Sequence, residues 1–287
     1  MMKKVACIIV NYNDSQRTLS LVKNINSFSS VKFIIVVDNC STDDSFSVLK
    51  SFESAKYYLL KPQRNGGYGY GNNYGALKAK ELGAEYILIA NPDVIFSDGC
   101  VLHMIQTMEV HPLCAIVGAK EMKMGVYAWR YTSAIDDVLS ASLFFNKLLK
   151  KRYYKKNFFD DKDWVNVDII PGCFLLVDLS KFLEVGGYDE SVFLYEEEKI
   201  LFCRMKNKYE FLVDLCVEYT HNHVESHSYA LGSILIGKKR LLKSRYFFLK
   251  KYRKLNPLSL FIVRIFFEMT LLEMFIWGVI RKFFVGK

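Results

Sequence analysis

A chain of 287 residues with 51% hydrophobic and 15% aromatic content can bury a large core. That excludes a disordered chain and suits one sizeable α/β domain, alone or with an appendage. The formal net charge of +9 is uneven: residues 238–287 hold 13 Lys or Arg against Glu268 and Glu273, a net of +11, whereas residues 1–237 carry −2. A near-neutral body argues against a nucleic-acid-binding protein and leaves the tail to meet a polyanion, foremost a membrane surface.

Near the N-terminus the apolar run Val5 to Val10 is too short for a signal-peptide core and predicts a first buried strand, ending in "VNYN". The seven cysteines form no Cys-x-x-Cys pair, as expected of reduced thiols in a cytosolic protein. An amphipathic stretch from Asp14 to Phe28 predicts a helix, "KFIIVVD" a second strand, Asp44 to Phe52 a helix, and "KYYLL" a third strand. Asp38, at the tip of the second strand, can accept the N–H of a nucleobase or simply belong to the Ser/Thr/Asp-rich helix cap that follows. "RNGGYGYGNNYG" then predicts a glycine-rich loop leading into a helix from about Asn72 to Leu82, closed by Gly83. From Gly67 it reads G-x-G-x-x-Asn after the third strand, which fails the dinucleotide fingerprint but suits a diphosphate beside Arg64.

"EYILIA" predicts the fourth strand, and Pro92, with no N–H to give a sheet, ends it. Asn91 and Asp93 fall at its carboxyl tip, where open α/β sheets bind ligands, so Asp93 is either a turn residue or a partner for something charged. The alternation of strands and helices implies βαβ units and a mostly parallel sheet. From Cys114 the pattern is mixed and includes a basic-aromatic insert, "NKLLKKRYYKKNFF", at 146–159.

Three adjacent carboxylates, Glu196, Glu197 and Glu198, sit in the helical pattern "FLYEEEKILFCR". A helix points them about 100° apart, so at most two face a cleft. A raised carboxylate pKa there suits a general base; the alternative is a solvated acidic turn. In "THNHVESHS", His221 and His223 share one face of a strand. A zinc site with His227 lacks a supporting motif, and one histidine joining Asp93 on a hard cation fits better. Past Gly237, two helical segments flank Asn256-Pro257. Arg264, Glu268 and Glu273 interrupt the second, each costing about 2.5–3.5 kcal/mol at a bilayer centre, so it is expected to lie on a membrane rather than cross it.

Taken in order, "VNYN", "VVDNCSTDDS", Asn65-Gly66-Gly67, "NPDV", "PGCFLLV", "VGGYDESVFLYEEE" and a late histidine before serines resemble the family 2 glycosyltransferases. The likeness covers about residues 4–230 and is nearest the rhamnosyltransferase-like branch that builds bacterial surface polysaccharides. It implies an α/β GT-A (nucleotide-diphospho-sugar transferase) fold: a mostly parallel Rossmann-like sheet flanked by helices over 1–237, followed by a helical basic and apolar tail over 238–287. It further implies an inverting, metal-dependent enzyme using Mg2+ or Mn2+ and a nucleotide-sugar donor, dTDP-rhamnose or a UDP-sugar. The acceptor would be a glycan, commonly polyprenyl-diphosphate-linked, reached from an anionic membrane surface on the cytoplasmic side of the bacterial inner membrane.

By the same resemblance Asp93 corresponds to the last acid of the metal-binding Asp-x-Asp, with Asn91 in place of the first. Asp38, Asn11 and Tyr12 would line the base pocket. Asn65, Gly66 and Gly67 would lie beside the nucleotide, and Pro171 and Gly172 at the donor sugar. Glu197 and Glu198 match the family's Glu-Asp pair, with Glu198 as catalytic base, and His221 or His223 would complete the metal site. Two departures stand out: Glu replaces Asp at the base, and Ile200 replaces a further acid. They leave open a weak or inactive scaffold subunit. A nucleotidyltransferase is the other alternative, although "NYNDSQR" lacks the glycine- and Arg/Lys-rich loop it would need after the first strand.

Overall fold

The computed structural model describes residues 3–123, 125–149, 152–222 and 231–285. Strands β1 (Val5–Asn11), β2 (Val31–Asp38), β3 (Tyr57–Leu60) and β4 (Tyr86–Ala90) pair in parallel in the order β3-β2-β1-β4. They are joined through helices α1 (Ser15–Ile25), α2 (Ser45–Lys50) and α3 (Tyr68–Glu81). Both faces of this sheet are covered, so its central strands are continuous apolar runs: Val5–Ile9 and Ile34–Val37 are fully buried.

Helix α3 begins at Tyr68, not near Asn72, so the predicted glycine-rich loop is largely helix. A Cβ on Gly71 would lie 2.8 Å from Val10 Cγ1, and one on Gly75 would lie 2.6 Å from Ile8 Cγ2. These glycines let the helix backbone settle directly onto β1, a packing requirement strong enough to override their poor helix propensity.

The second half adds β5 (Val94–Ile95), α4 (Asp98–Val110), β6 (Cys114–Glu121), α5 (Ala134–Leu139), α6 (Leu143–Leu148), β7 (Trp164–Val167), β8 (Phe174–Asp178), α7 (Leu179–Glu184), α8 (Glu197–Met205) and β9 (Glu210–His221). The sheet continues β4-β8-β6-β9-β5, with β7 also on β9. β8 runs antiparallel to β4 and β6, whereas β6 and β9 are parallel. The long β9 therefore carries the chain from the core out to His221, where it pairs with Val94.

The tail forms α9 (Leu231–Lys251) and α10 (Pro257–Val285). Asn256 caps α10, accepting the Ser259 N–H at 2.8 Å, and Pro257 occupies the first helical position, which needs no donor. The boundary expected at 237/238 falls inside α9, and α9 is docked on the body. Phe248 packs with Val192 and Ile200, and Arg245 and Arg253 reach the buried Glu196 and Asp137, each at 2.7 Å. Some of the cations that make up the tail's charge excess thus pair with acids of the body. α10 buries Leu260, Val263 and Phe267 against Leu242 and Leu249 of α9. No described helix is long and apolar enough to cross a membrane.

Candidate active site

The Asn91–Val94 segment is a turn at a strand tip. The Val94 N–H donates to the Asn91 carbonyl at 3.3 Å, with Pro92 at the position its fixed φ favours. The turn presents Asp93, whose Oδ1 lies 3.0 Å from Nε2 of His221, so the two residues singled out for a cation do meet. Burial disfavours the charged imidazole, but Asp93 and Cys173 together, by hydrogen bonding and charge, outweigh it and raise His221 to about 10. One carboxylate oxygen and one imidazole nitrogen at this spacing form a donor set that fits Mn2+ or Mg2+, the cation taking the place of the shared proton. Glu121 steadies this end of β9, accepting the N–H groups of His221 (3.3 Å), Lys123 (3.0 Å) and Gly125 (3.2 Å). His223 lies outside the described residues.

At the tips of β1 and β2 a polar web closes on itself. Asp38 Oδ1 accepts from Asn11 Nδ2 at 2.8 Å and from Ser41 Oγ at 2.5 Å, while Oδ2 accepts the Ser41 N–H at 3.2 Å. Asn11 Oδ1 in turn accepts from Thr18 Oγ1 at 2.8 Å. Asn11 and Asp38 are both fully buried, and Tyr12 is exposed. Asn65 Oδ1 accepts from Asn39 Nδ2 and from the Gly67 N–H, each at 3.0 Å. A Cβ on Gly66 would strike the Tyr70 ring at 2.4 Å, and one on Gly67 (φ +91°) the Phe193 carbonyl oxygen at 1.9 Å. Packing inside the protein therefore suffices to require glycine at both positions.

A cavity of about 450 Å3 opens beside this edge, lined among others by Asn91, Pro171, Gly172, Glu197, Glu198 and His221. The three glutamates enter it by different routes. Glu196 precedes α8 in the left-handed region (φ +69°), as does Tyr195 (φ +73°), so only Glu197 and Glu198 belong to the helix. Glu196 is buried and paired with Lys199 and Arg245, each at 2.7 Å. Burial alone would raise its carboxyl, but the two cations prevail and hold it at about 2. Glu197 is 3% exposed, its Oε1 has no hydrogen-bond partner among the described residues, and burial together with the Glu198 charge raises its pKa. Glu198 is half-buried, accepts the Gly172 N–H at 3.1 Å and is raised chiefly by burial. Gly172 has no room for a side chain, because a Cβ would lie 2.6 Å from Glu198 Oε1.

Several neighbours escaped sequence reasoning. Tyr68 donates to the Gly172 carbonyl at 2.6 Å, fixing the loop that holds Glu198, but it was hidden in the glycine run. Arg245 was one cation among many in the tail. Trp129 and Arg130 line the cavity from a segment with no recognisable pattern, and Arg152 lines it from the basic-aromatic insert, which sequence reasoning gives no role. Elsewhere, among the described residues, His103, Asp214 and Cys216 lie close enough to share a metal. Asp214 already accepts from Thr107 Oγ1 and the Cys216 N–H and bonds His103 Nδ1, so protein groups account for its burial.

Residues 6–179 match Glycosyl transferase family 2. Rhamnosyltransferase WbbL of Escherichia coli (strain K12) is 28% identical over 213 residues, which cover 70% of this chain and 76% of that protein. Among solved structures, GalNAc-T7 with UDP, GalNAc and Mn2+ superposes with a TM-score of 0.66 at 13% identity. The match covers 88% of this chain and 49% of that one, so the chain spans about half of that structure's length. The mannosyltransferase PcManGT from Pyrobaculum calidifontis, in complex with GDP-Man and Mn2+, gives 0.60 at 13% identity, over 98% of this chain and 75% of that one. TarS 1–349 of S. aureus in complex with UDP-GlcNAc gives 0.55, also at 13%, over 91% and 70%. These likenesses establish the GT-A fold.

Proposed function

The chain belongs to glycosyl transferase family 2, and from that premise we propose that it moves a sugar from a nucleotide-diphosphate donor to a glycan acceptor with inversion at the anomeric carbon. The observation that carries this reading is one shared cavity: His221, which meets Asp93, and Glu198, a half-buried carboxylate with raised proton affinity, both line it. In this scheme Glu198 takes the proton of the acceptor hydroxyl, and the freed oxygen attacks the anomeric carbon from the face opposite the departing diphosphate. The Gly172 N–H holds the base in place, and Tyr68 holds Gly172. Asp93 and His221 would hold a divalent cation, Mn2+ or Mg2+, which when bound neutralises charge on the leaving diphosphate. Asp38 and its web would position the base of the nucleotide. Likeness to the rhamnosyltransferase WbbL favours a rhamnosyl donor, and the motif resemblance adds a role in surface-polysaccharide synthesis.

We place the enzyme on the cytoplasmic face of a bacterial membrane, docked through its tail. Leu258, Ile262, Ile265, Met269, Leu272 and Ile276 form an exposed apolar row at alternating four- and three-residue spacing along α10. Lys239, Lys243, Lys250 and Arg264 are exposed on the same two helices, and Lys254 on the turn between them. Each cation near an anionic surface contributes roughly 1 kcal/mol, in addition to burial of the apolar row.

The test is donor turnover and thermal stabilisation of the full chain with dTDP-rhamnose, UDP-sugars and GDP-mannose, with and without Mn2+. Asp93→Asn is expected to abolish turnover and the metal-dependent part of nucleotide affinity, leaving metal-free binding unchanged. An active Asp93→Asn enzyme overturns the assignment.

A further inference from the structure

We propose that α9 belongs to the catalytic unit: Ser244 and Arg245 are positioning residues that clamp the turn Leu194–Glu196 and so set where Glu197 and Glu198 enter the cavity. The inference rests on the glycosyltransferase reading, in which Glu198 is the base, and adds tail residues that act through it.

The turn needs holding. Tyr195 (φ +73°) and Glu196 (φ +69°) are consecutive left-handed residues, and both carry a Cβ. Such backbone is costly and persists only where its surroundings over-determine it. The start of α8 does not supply that constraint. Glu196 stands at the N-cap, but its side chain forms no cap hydrogen bond among the described residues. An uncapped helix frays in its first turn, and here that turn holds Glu197 and Glu198. The Gly172 N–H meets Glu198 at the end of its side chain and leaves the helix start unfixed.

Three helices provide the grip. At the start of α3, the Tyr68 N–H donates to the Phe193 carbonyl at 3.1 Å. From α9, Ser244 Oγ donates to the Leu194 carbonyl at 2.8 Å. Arg245 Nε donates to Glu196 Oε1 at 2.7 Å and its Nη1 to Ser140 Oγ at 3.0 Å, which ties the turn to the end of α5. Lys199 adds the other cation on Glu196 from α8 itself. Ser244 and Arg245 are buried, whereas the preceding Lys243 is exposed. Buried polar side chains on a helix of solvated lysines are explained by their partners. Phe248, one turn further along α9, packs against Val192 and Ile200, which flank the clamped turn in the chain. The helix is thereby seated firmly enough to hold it.

The experiment gives the full chain Mn2+ with dTDP-rhamnose, UDP-glucose, UDP-N-acetylglucosamine or GDP-mannose and reads the nucleoside diphosphate released. Amide exchange over residues 194–201 is followed in parallel by mass spectrometry. Ser244→Ala is expected to lower kcat about tenfold with donor KM unchanged, and to speed that exchange about tenfold. Arg245→Met should lower kcat further, and Arg245→Lys, which keeps a cation on Glu196, should recover part of the loss. Asn tolerates left-handed backbone, so in a Tyr195→Asn background the Ser244→Ala loss should shrink. Parental exchange and kcat in Ser244→Ala overturn the clamp. A raised donor KM with kcat unchanged overturns the positioning role and makes these residues donor contacts. Strict additivity of Tyr195→Asn and Ser244→Ala overturns the strain argument. Failure of the glycosyltransferase reading appears separately, as no turnover of any probe by the unmodified chain, and exchange alone then decides the clamp.

Discussion

Around Asp38 the hydrogen-bonding partners are neutral and come from at most 27 residues away along the chain. Around Glu196–Glu198 they are cations from as far as 49 residues downstream, a single backbone N–H, or, among the described residues, missing. Both regions bury carboxylates at the same edge of the sheet, yet only the second accumulates unspent electrostatic energy. A closed neutral web fixes shape. Three adjacent acids must each be handled differently: Glu196 by cations, Glu197 by holding its proton, and Glu198 by one backbone N–H and an opening to the cavity. The comparison separates scaffold from chemistry, and it can be broken at either side.

The largest expected effect is on stability. Arg245→Met leaves the buried Glu196 with Lys199 alone, and removing one partner of a buried pair costs about 3–5 kcal/mol. Glu196 is held at about 2, below its ordinary 4.5, so its contribution is fully present above pH 4.5 and is lost as pH falls through about 2. The urea midpoint of Arg245→Met should accordingly fall well below the parent's at pH 7 and converge with it toward pH 2. Equal midpoints at pH 7 would mean that the tail is a loose appendage and that the long-range half of the comparison is mistaken.

The next effect is on turnover. Glu198→Gln keeps the shape and the Gly172 contact but cannot take a proton, so transfer should drop by about 10²-fold or more with donor affinity unchanged. Glu197→Gln should cost less, because that carboxyl is only 3% exposed and already retains its proton at mildly acidic pH. The reverse ranking would make Glu197 the base.

The difference between the regions also explains what was legible. The first half follows from local signals: buried apolar runs, a proline at a strand tip and cap residues. Strands β1 to β4 and the Asn91–Asp93 turn therefore stand where they were expected. The glycine run misled because its helix is dictated by Ile8 and Val10, partners a local window does not contain. Glu198 and His221 could be singled out only as part of an ordered set of motifs. Of the two partners of Glu196, Lys199 is local but Arg245 is tertiary: nothing in "KKRLLKSRYFF" marks Arg245 as buried and Lys243 as exposed. Ile200, a departure from the family's acid, has a structural reason, since it packs against Phe248 of α9, where a carboxylate would be buried without a cation of its own.

Asp38→Asn probes the neutral side. It should cost about 1–3 kcal/mol, since an NH2 group replaces one acceptor facing the Asn11 and Ser41 donors, but no charge is left stranded. Urea midpoints and nucleotide affinity should be read together. Unchanged stability with lost nucleotide binding would show that Asp38 works outward and that the closed web is not its main role.

The smallest effect tests whether the long-range pairs of α9 share one character. Lys251, the last residue of α9 and six positions beyond the buried Arg245, bonds Asp189 at 2.7 Å. Asp189 is itself buried, but it also accepts from Tyr252 Oη at 2.6 Å and from the Ser191 N–H at 3.0 Å, with Arg204 at 3.5 Å. The Lys251 side chain is 49% exposed, so water and salt compete for its charge. Lys251→Ala should therefore cost no more than about 1 kcal/mol, and less at high salt, because the carboxylate keeps three partners. Arg245→Met, whose lost partner is buried, should show little such relief. A loss at Lys251 as large as at Arg245, insensitive to salt, would mean that exposure does not set the worth of these pairs and that α9 is held as one electrostatic unit along its length.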